Sequence, residues 1–426
     1  MALPQRDLII EAQSLAGQSP GWAPLSAAPQ ATWLSVLSTL PALALFLSIL
    51  QLDFAERRLL TLAAIGIGVV SAFIGLAQVS QGPFSALRIL ETAHKTEAVG
   101  FFANRNHFAA FLYCSLILLT AWLIHALLEA GSRGPQQSRA PVLLAAAAVL
   151  ACQLVIIGAI AMARSRAGLA LTIASLVAAV VLAMSNRRAM SGLTPVKAIA
   201  GVSAIAAVLI AQFALYRLLE RFALDPLGDE RFAFARTTIA AAKAYWPFGS
   251  GLGSFVPVYG VFQPVADLRA PNVFVNHAHN DLLEIWLETG ILGVILLACA
   301  LLWFLARSYA VWWRAPAGED GIDRLLARGG SVVVLLLALH SLVDYPLRTT
   351  AMMSVFALAC ALLVPPPRRE DAAQERTTTR RVVRSTTGRP ASASVSGLPA
   401  SPADLAPPRA PAPWGTESDW PDAWKK

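Results

Sequence analysis

The stretch Asn276-His277-Ala278-His279-Asn280-Asp281, followed by Glu284 and Glu288, gathers two histidines, two amides and three carboxylates at the mouth of an apolar run. Three kinds of chemistry fit these residues. His277-x-His279-x-Asp281 has the look of a metal-ligand set, although position 282, where some metallohydrolases continue with a further histidine, is Leu282. The histidines could instead be structural, with Asp281 or Glu284 as hydrogen-bond partners and Asn280 capping a helix. In the third reading one histidine is a general base, since imidazole accepts a proton near neutral pH. Asp281, Glu284 and Glu288 recur at i, i+3 and i+7, so they share one helix face, and one of them would orient the imidazole.

Two further groups invite a chemical reading. Asn104-Arg105-Asn106-His107 opens an apolar run; the amides suit helix caps, or hydrogen bonds to sugar hydroxyls or a phosphate at the positive end of a helix. Arg164 and Arg166 are squeezed between two apolar runs with almost no loop. Arginines there can snorkel to head groups, but their planar fork also suits phosphate. Gly249, Gly251 and Gly253 resemble a phosphate cradle, yet no strand precedes them and no Lys-Ser/Thr follows. A flexible turn packed by Trp246 and Phe255 is the simpler expectation.

Groups of this kind need a scaffold, and the composition says which. The 426 residues are 56% hydrophobic and only 14% charged, against about 25% charged in soluble domains. That points to an all-α, polytopic bundle of membrane helices and away from nucleic-acid binding, despite a net charge of +8. The four cysteines lie in apolar runs without CxxC spacing, which argues against a disulfide framework or a thiolate metal site. No cofactor motif is present.

Apolar runs at 31–51, 59–78, 107–128, 142–163, 167–184, 196–216, 282–306, 329–345 and 350–364 predict about nine spans, since roughly 20 residues cross the hydrocarbon. The domain plan is then a loop over 1–30, spans over 31–216, a long external loop over 217–280 carrying a short helix at 232–245, spans over 281–364, and a disordered basic tail over 365–426. Arg57, Arg58, Arg133, Arg139, Arg187, Arg188, Arg307, Arg314, Arg324 and Arg328 fall on one side, which the positive-inside rule makes cytoplasmic. With the tail inside and an odd span count, residue 1 starts outside. The expectation is that further helices precede it in the natural chain.

The motifs together resemble the O-antigen ligase and polymerase family of bacterial membrane glycosyltransferases. His279-Asn280, nine residues, Gly290, two residues and Gly293 is similar to the family's ligase pattern. Asn104-Arg-Asn106 resembles its Asn-x-Asn helix start, and Ser165-Arg166-Ala167-Gly168 its Ser-Arg-x-Gly motif. The resemblance runs over roughly 100–295, and the chain departs from it at its start, where members carry more helices. It implies an inner-membrane enzyme whose site faces the periplasm. The donor would be a glycan on undecaprenyl diphosphate, and the acceptor lipid A-core, another glycan or a protein hydroxyl. Carried over by motif, His279 is the essential histidine and Arg166 the arginine at a helix end. Arg231 or Arg236 is the loop arginine, with Arg231 taken as catalytic. Asn104, Arg105, Asn106, Arg164, Arg236, His277, Asn280, Asp281 and Glu284 are the expected substrate-binding set. The chemistry agrees: a diphosphate leaves well without nucleotide or metal, arginines offset its charge, and direct displacement inverts the anomeric centre. The competing class is a transporter or binder of lipid-linked glycans without chemistry; its site would lie at mid-span.

Overall fold

A computed structural model describes residues 6–19, 24–133, 138–185, 230–264, 274–314 and 321–367, with positions 4, 197, 201 and 204. Most of the run expected at 196–216, parts of the 217–280 loop and the tail beyond 367 lie outside these residues. All of the described helices fall in the unit Met1–Arg368.

Regular structure among the described residues is helical throughout: α1 (Arg6–Leu15), α2 (Pro29–Leu50), α3 (Phe54–Gln81), α4 (Arg105–Ser132), α5 (Ala140–Ala163), α6 (Arg166–Met184), α7 (Glu230–Ala244), α8 (Phe255–Phe262), α9 (Asp281–Trp313), α10 (Ile322–His340), a 3-10 turn (Pro346–Arg348) and α11 (Thr350–Leu362). Six of them, α2 to α6 and α9, are long and apolar enough to cross a membrane. Helices close their own backbone hydrogen bonds, which is why apolar runs take this form in lipid. The expected nine spans are not reached among the described residues. The run read as 329–345 starts earlier, at Ile322, and stops at His340; α11 has only 13 residues. The leading segment is not all loop, since α1 lies within it.

Short polar side chains set the helix starts. Asp53 and Glu56 form a reciprocal capping box on α3, at 3.0 and 2.9 Å. Asn104, Ser165 and Asn280 cap α4, α6 and α9. The last three belong to the motifs singled out above, so the same residues start the helices and build the site.

Helix α4 is the hub. Phe108, Leu112, Tyr113, Leu116, Ile117 and Ile124 are fully buried, and α3, α5, α6 and α10 pack around it. Lipid is as apolar as these side chains, so helices here are held by close packing and interhelical hydrogen bonds. Gly168 lets α6 come against Ala109, where a methyl would stand only 2.5 Å from the alanine Cβ. Gln153 donates to Thr120 at 2.9 Å, and Trp122 to Thr61 at 3.2 Å.

At one end of the bundle arginines close helix C-termini. Arg57 is buried and donates to the carbonyls of Ile49, Leu50, Leu52, Ala361 and Val364, tying the ends of α2 and α11 together. Arg307 donates to the Leu363 carbonyl and Arg328 to that of Ser185. Arg58 pairs with Asp323 across helices. At the other end lie the starts of α4, α6 and α9 and the C-terminal ends of α5 and α10. A second small core of Ala241, Tyr245, Phe255, Val258, Tyr259, Val275, Ala278 and Leu287 roofs that end with α7 and α8.

Helix α9 is interrupted at Gly290, whose φ of 57° and ψ of −139° are non-helical. The turn 246–251 fills the break. Ser250 and Gly251 donate backbone N–H groups to the carbonyls of Leu287 and Glu288 (2.9 and 2.8 Å), and Ile291 donates to Pro247 (2.8 Å). A Cβ on Gly290 would stand 2.0 Å from the Pro247 oxygen, and one on Gly249 2.5 Å from the Glu288 oxygen. Both glycines also have positive φ. The glycine turn therefore packs on the break in α9. Phe255 is buried beside it, whereas Trp246, expected to pack it, is 42% exposed.

Candidate active site

Three separate motifs meet at one carboxylate that none of them contains. Asp344 follows α10 and is buried. Its Oδ1 faces His279 Nδ1 at 3.0 Å, and its Oδ2 accepts from Asn106 Nδ2 at 2.5 Å. The Asn106 amide cannot turn round, because its Oδ1 accepts from Ser165 Oγ at 2.7 Å. Ser165 in turn accepts from the backbone of Gly168 as the cap of α6 (3.0 Å). The Asn-x-Asn and His-Asn segments are thus joined through Asp344, and the Ser-Arg-x-Gly segment joins them through Asn106.

Burial alone would raise the Asp344 carboxyl. The hydrogen bond from His279 and the charges of His279, His340 and His107 outweigh it and hold the group well below the usual carboxylate range. An ionised Asp344 requires the proton of neutral His279 to sit on Nδ1. Nε2 is left with its lone pair, which is the state a general base needs. The backbone at His279 is left-handed (φ 51°), a conformation costing a non-glycine residue roughly 1 kcal/mol or more. The ring stacks on Phe234 of α7 (centroids 5.8 Å, 28°) and meets the edge of Tyr345 at 4.9 Å. Tyr345 is itself fixed by Asn276 and Asn104 amides at 3.4 and 3.5 Å.

The acidic face of α9 has another task. Asp281, Glu284 and Glu288 are buried and surround Arg348, with nearest contacts of 3.5, 3.6 and 2.7 Å. Burial would lower the Arg348 guanidinium, but the three carboxylates more than offset it and raise it above its ordinary value. Glu284 also holds His277, from Nδ1 to Oε1 at 2.8 Å, and accepts from the Ala278 N–H at 2.8 Å. Asp281 accepts from Ser341 Oγ at 2.7 Å. Asn280 accepts from Leu283 N–H as the cap and donates to the Leu342 carbonyl at 2.9 Å. The expectation that one of these three carboxylates orients the catalytic imidazole is corrected for His279: its partner is Asp344, and Glu284 serves His277 alone. His277, His279 and Asp281 turn to separate partners and form no shared ligand set.

The arginines singled out in the sequence lie on or beside four helices, α4 to α7. Arg166 is exposed at the first turn of α6, directly after Ser165. Arg164 ends α5 in a left-handed conformation (φ 54°), and its Nε is buried without a hydrogen bond among the described residues. Arg231 is half-buried on α7, three residues before Phe234, and its charge is felt at His340. Arg236 is exposed on the same helix. Arg105 pairs with Glu97 at 2.8 Å. That loop is fastened by Gln78, which accepts from Val99 and Gly100 and donates to the carbonyls of Leu87 and Gly100.

Asp344 and Tyr345 were missed because they sit at the end of a run read as membrane span, 329–345, whereas Arg348 falls in the short gap before 350–364, where an arginine reads as an ordinary loop residue. Pro346 carried the signal: a proline ends or kinks a helix and disfavours α for the residue before it. Residues 151–298 match the family described as O-Antigen ligase, a segment holding Arg164, Arg166, Arg231, Arg236 and His279 but not Asp344. No curated protein and no solved structure matches the chain.

Proposed function

The match over residues 151–298 supports the O-antigen ligase/polymerase family for this chain, and from that premise we infer that it transfers a glycan from undecaprenyl diphosphate to an acceptor hydroxyl. The single observation carrying this reading is the His279–Asp344 pair, set by hydrogen bonds from three motifs at one end of a membrane bundle. The acceptor hydroxyl donates to His279 Nε2. As its oxygen attacks the anomeric carbon, the proton passes to Nε2 and the carbon–oxygen bond to the diphosphate breaks. The diphosphate leaves with the bonding pair. Attack opposite the leaving group inverts the anomeric centre.

Arg166 and Arg231 offset the charge that develops on the diphosphate, assisted by Arg164 and Arg236. Arginine cations supply here the positive charge a divalent metal would otherwise provide. Asn106 and Asp344 position His279, whereas Asn104, Asn280, Asp281 and Glu284 hold the segments that carry it. The acceptor is lipid A-core, a second glycan or a protein hydroxyl. The site faces the periplasm in the bacterial inner membrane, with the arginine-capped helix ends toward the cytoplasm.

The test is glycan transfer by the purified protein in nanodiscs, with a glycan-loaded undecaprenyl diphosphate and either lipid A-core or free glycan as acceptor. Wild type transfers. His279→Ala loses on the order of 10²–10⁴-fold in rate. Arg166→Ala loses rate with unchanged melting temperature, because the side chain is exposed. Full transfer by His279→Ala would remove the assignment.

A further inference from the structure

Two buried side chains with no task in the mechanism lie behind Asp344. Tyr113 on α4 and His340 at the end of α10 are both fully buried. Tyr113 Oη stands 2.8 Å from His340 Nδ1. His340 Nε2 has no hydrogen-bond partner among the described residues and points at Asp344 Oδ2 from 3.8 Å.

The protons can be placed by elimination. If His340 carried its proton on Nδ1, that N–H would donate to Tyr113 Oη. The tyrosine O–H would then have no acceptor, and the Nε2 lone pair would face an anionic carboxylate. Leaving a buried donor or acceptor unsatisfied costs it the water it gave up on folding. A doubly protonated ring leaves the tyrosine O–H equally stranded. If Tyr113 donates to Nδ1, its O–H is satisfied and Nε2–H faces the Asp344 carboxylate. Only this arrangement satisfies the tyrosine O–H and sets an N–H, rather than a lone pair, toward the charge.

We infer that Tyr113 and His340 are a positioning pair for the catalytic histidine: Tyr113 fixes the Nε2–H tautomer of His340, whose N–H dipole faces Asp344 Oδ2 from 3.8 Å and supports its charge through space, beside the hydrogen bonds from His279 and Asn106. Asp344 is thereby held anionic and turned so that Oδ1 stays on His279. The inference rests on the general-base reading of His279. The titratable and charged groups that also face this centre are His107 on α4, His94 in the loop before it, Arg231 on α7, His277 before α9, and Tyr345 beside Asp344.

The test pairs Tyr113→Phe with His340→Gln. A glutamine amide can present its N–H₂ where His340 Nε2–H stands and needs no tautomer fixed. Tyr113→Phe is expected to lower kcat on the order of tenfold with KM unchanged. The acid limb of kcat moves to higher pH, because a less compensated Asp344 favours the protonated base. In the His340→Gln background the same Tyr113→Phe change is expected to have little further effect. A merely structural tyrosine would cost the same in both backgrounds, and that outcome, or an unmoved kcat and pH limb, overturns the pairing. ¹⁵N-histidine solid-state NMR reads the tautomer without turnover: His340 should show a protonated Nε2 and a bare Nδ1, and the reverse overturns the inference. If wild type transfers no glycan while NMR gives Nε2–H, the functional reading has failed and the tautomer assignment stands.

Discussion

Asp344→Asn should be nearly isosteric and yet almost inactive, for a reason that can be followed atom by atom. The carboxylate accepts on both oxygens: His279 on Oδ1, and Asn106 on Oδ2 with His340 alongside. An asparagine offers one oxygen and one N–H₂. Asn106 must keep its N–H₂ toward residue 344, because Ser165 pins its oxygen at 2.7 Å. The new amide therefore turns its oxygen toward Asn106 and its N–H₂ toward His279 Nδ1. His279 has to become an acceptor on Nδ1, which moves its proton to Nε2, the atom that should receive the proton of the acceptor hydroxyl. General-base assistance is worth about 10²–10⁴-fold, or roughly 2.7–5.5 kcal/mol in the barrier. The expected result is a kcat lower by that factor with KM changed by less than about threefold, measured as initial rates of glycan transfer in nanodiscs. Melting temperature near neutral pH, followed in parallel, confirms that the variant is folded. A kcat within about threefold of wild type would refute the reasoning, and so would a loss expressed mainly in KM.

The same carboxylate gives a stability prediction with a definite sign. Its folded-state value is depressed, so its contribution is complete above the unfolded value of about 3.9 and is lost as pH falls below it; the melting-temperature gap between wild type and Asp344→Asn should be flat above about pH 5 and shrink in more acid buffer. Arg348→Met leaves Asp281, Glu284 and Glu288 buried without their cation, and should destabilise by about 3–5 kcal/mol, read as a large fall in melting temperature; adding Glu288→Gln should recover part of it. Gly290→Ala places a methyl against the Pro247 oxygen at a positive φ, and is expected to lower both stability and transfer, whereas Gly260→Ala, with open space around it, should do neither.

The sequence carried the helices better than the site. Long apolar runs announced α4, α5 and α6 almost to their ends, because nothing in lipid competes with a helix for the backbone. The acidic face of α9 was also visible, since Asp281, Glu284 and Glu288 keep helical spacing whatever they contact. Their partner was not, because Arg348 is reached only by folding a turn some sixty residues away onto them. Asp344 was hidden for a different reason. A single carboxylate near the end of an apolar run reads as a frayed helix end unless Pro346 is allowed to stop the helix first. The twin pattern His277-x-His279 misled in its own way: the two rings have similar neighbours in sequence but are served by carboxylates from different elements.

The break at Gly290 gives α9 two frames of reference. Residues 281–289 are fixed by the roofing core and by Arg348, so they move with the site. Residues 291–313 present Leu292, Leu296 and Leu302 outward, so they answer to the lipid. Spans tilt to match the thickness of the bilayer around them. A continuous helix would carry that tilt straight into His279. Here the turn 246–251 takes up the carbonyls of Leu287 and Glu288 that the break releases, so the change of direction strands no polar backbone in hydrocarbon. The lipid-facing half of α9 can therefore run in its own direction while the half that follows His279 keeps the orientation set by Arg348.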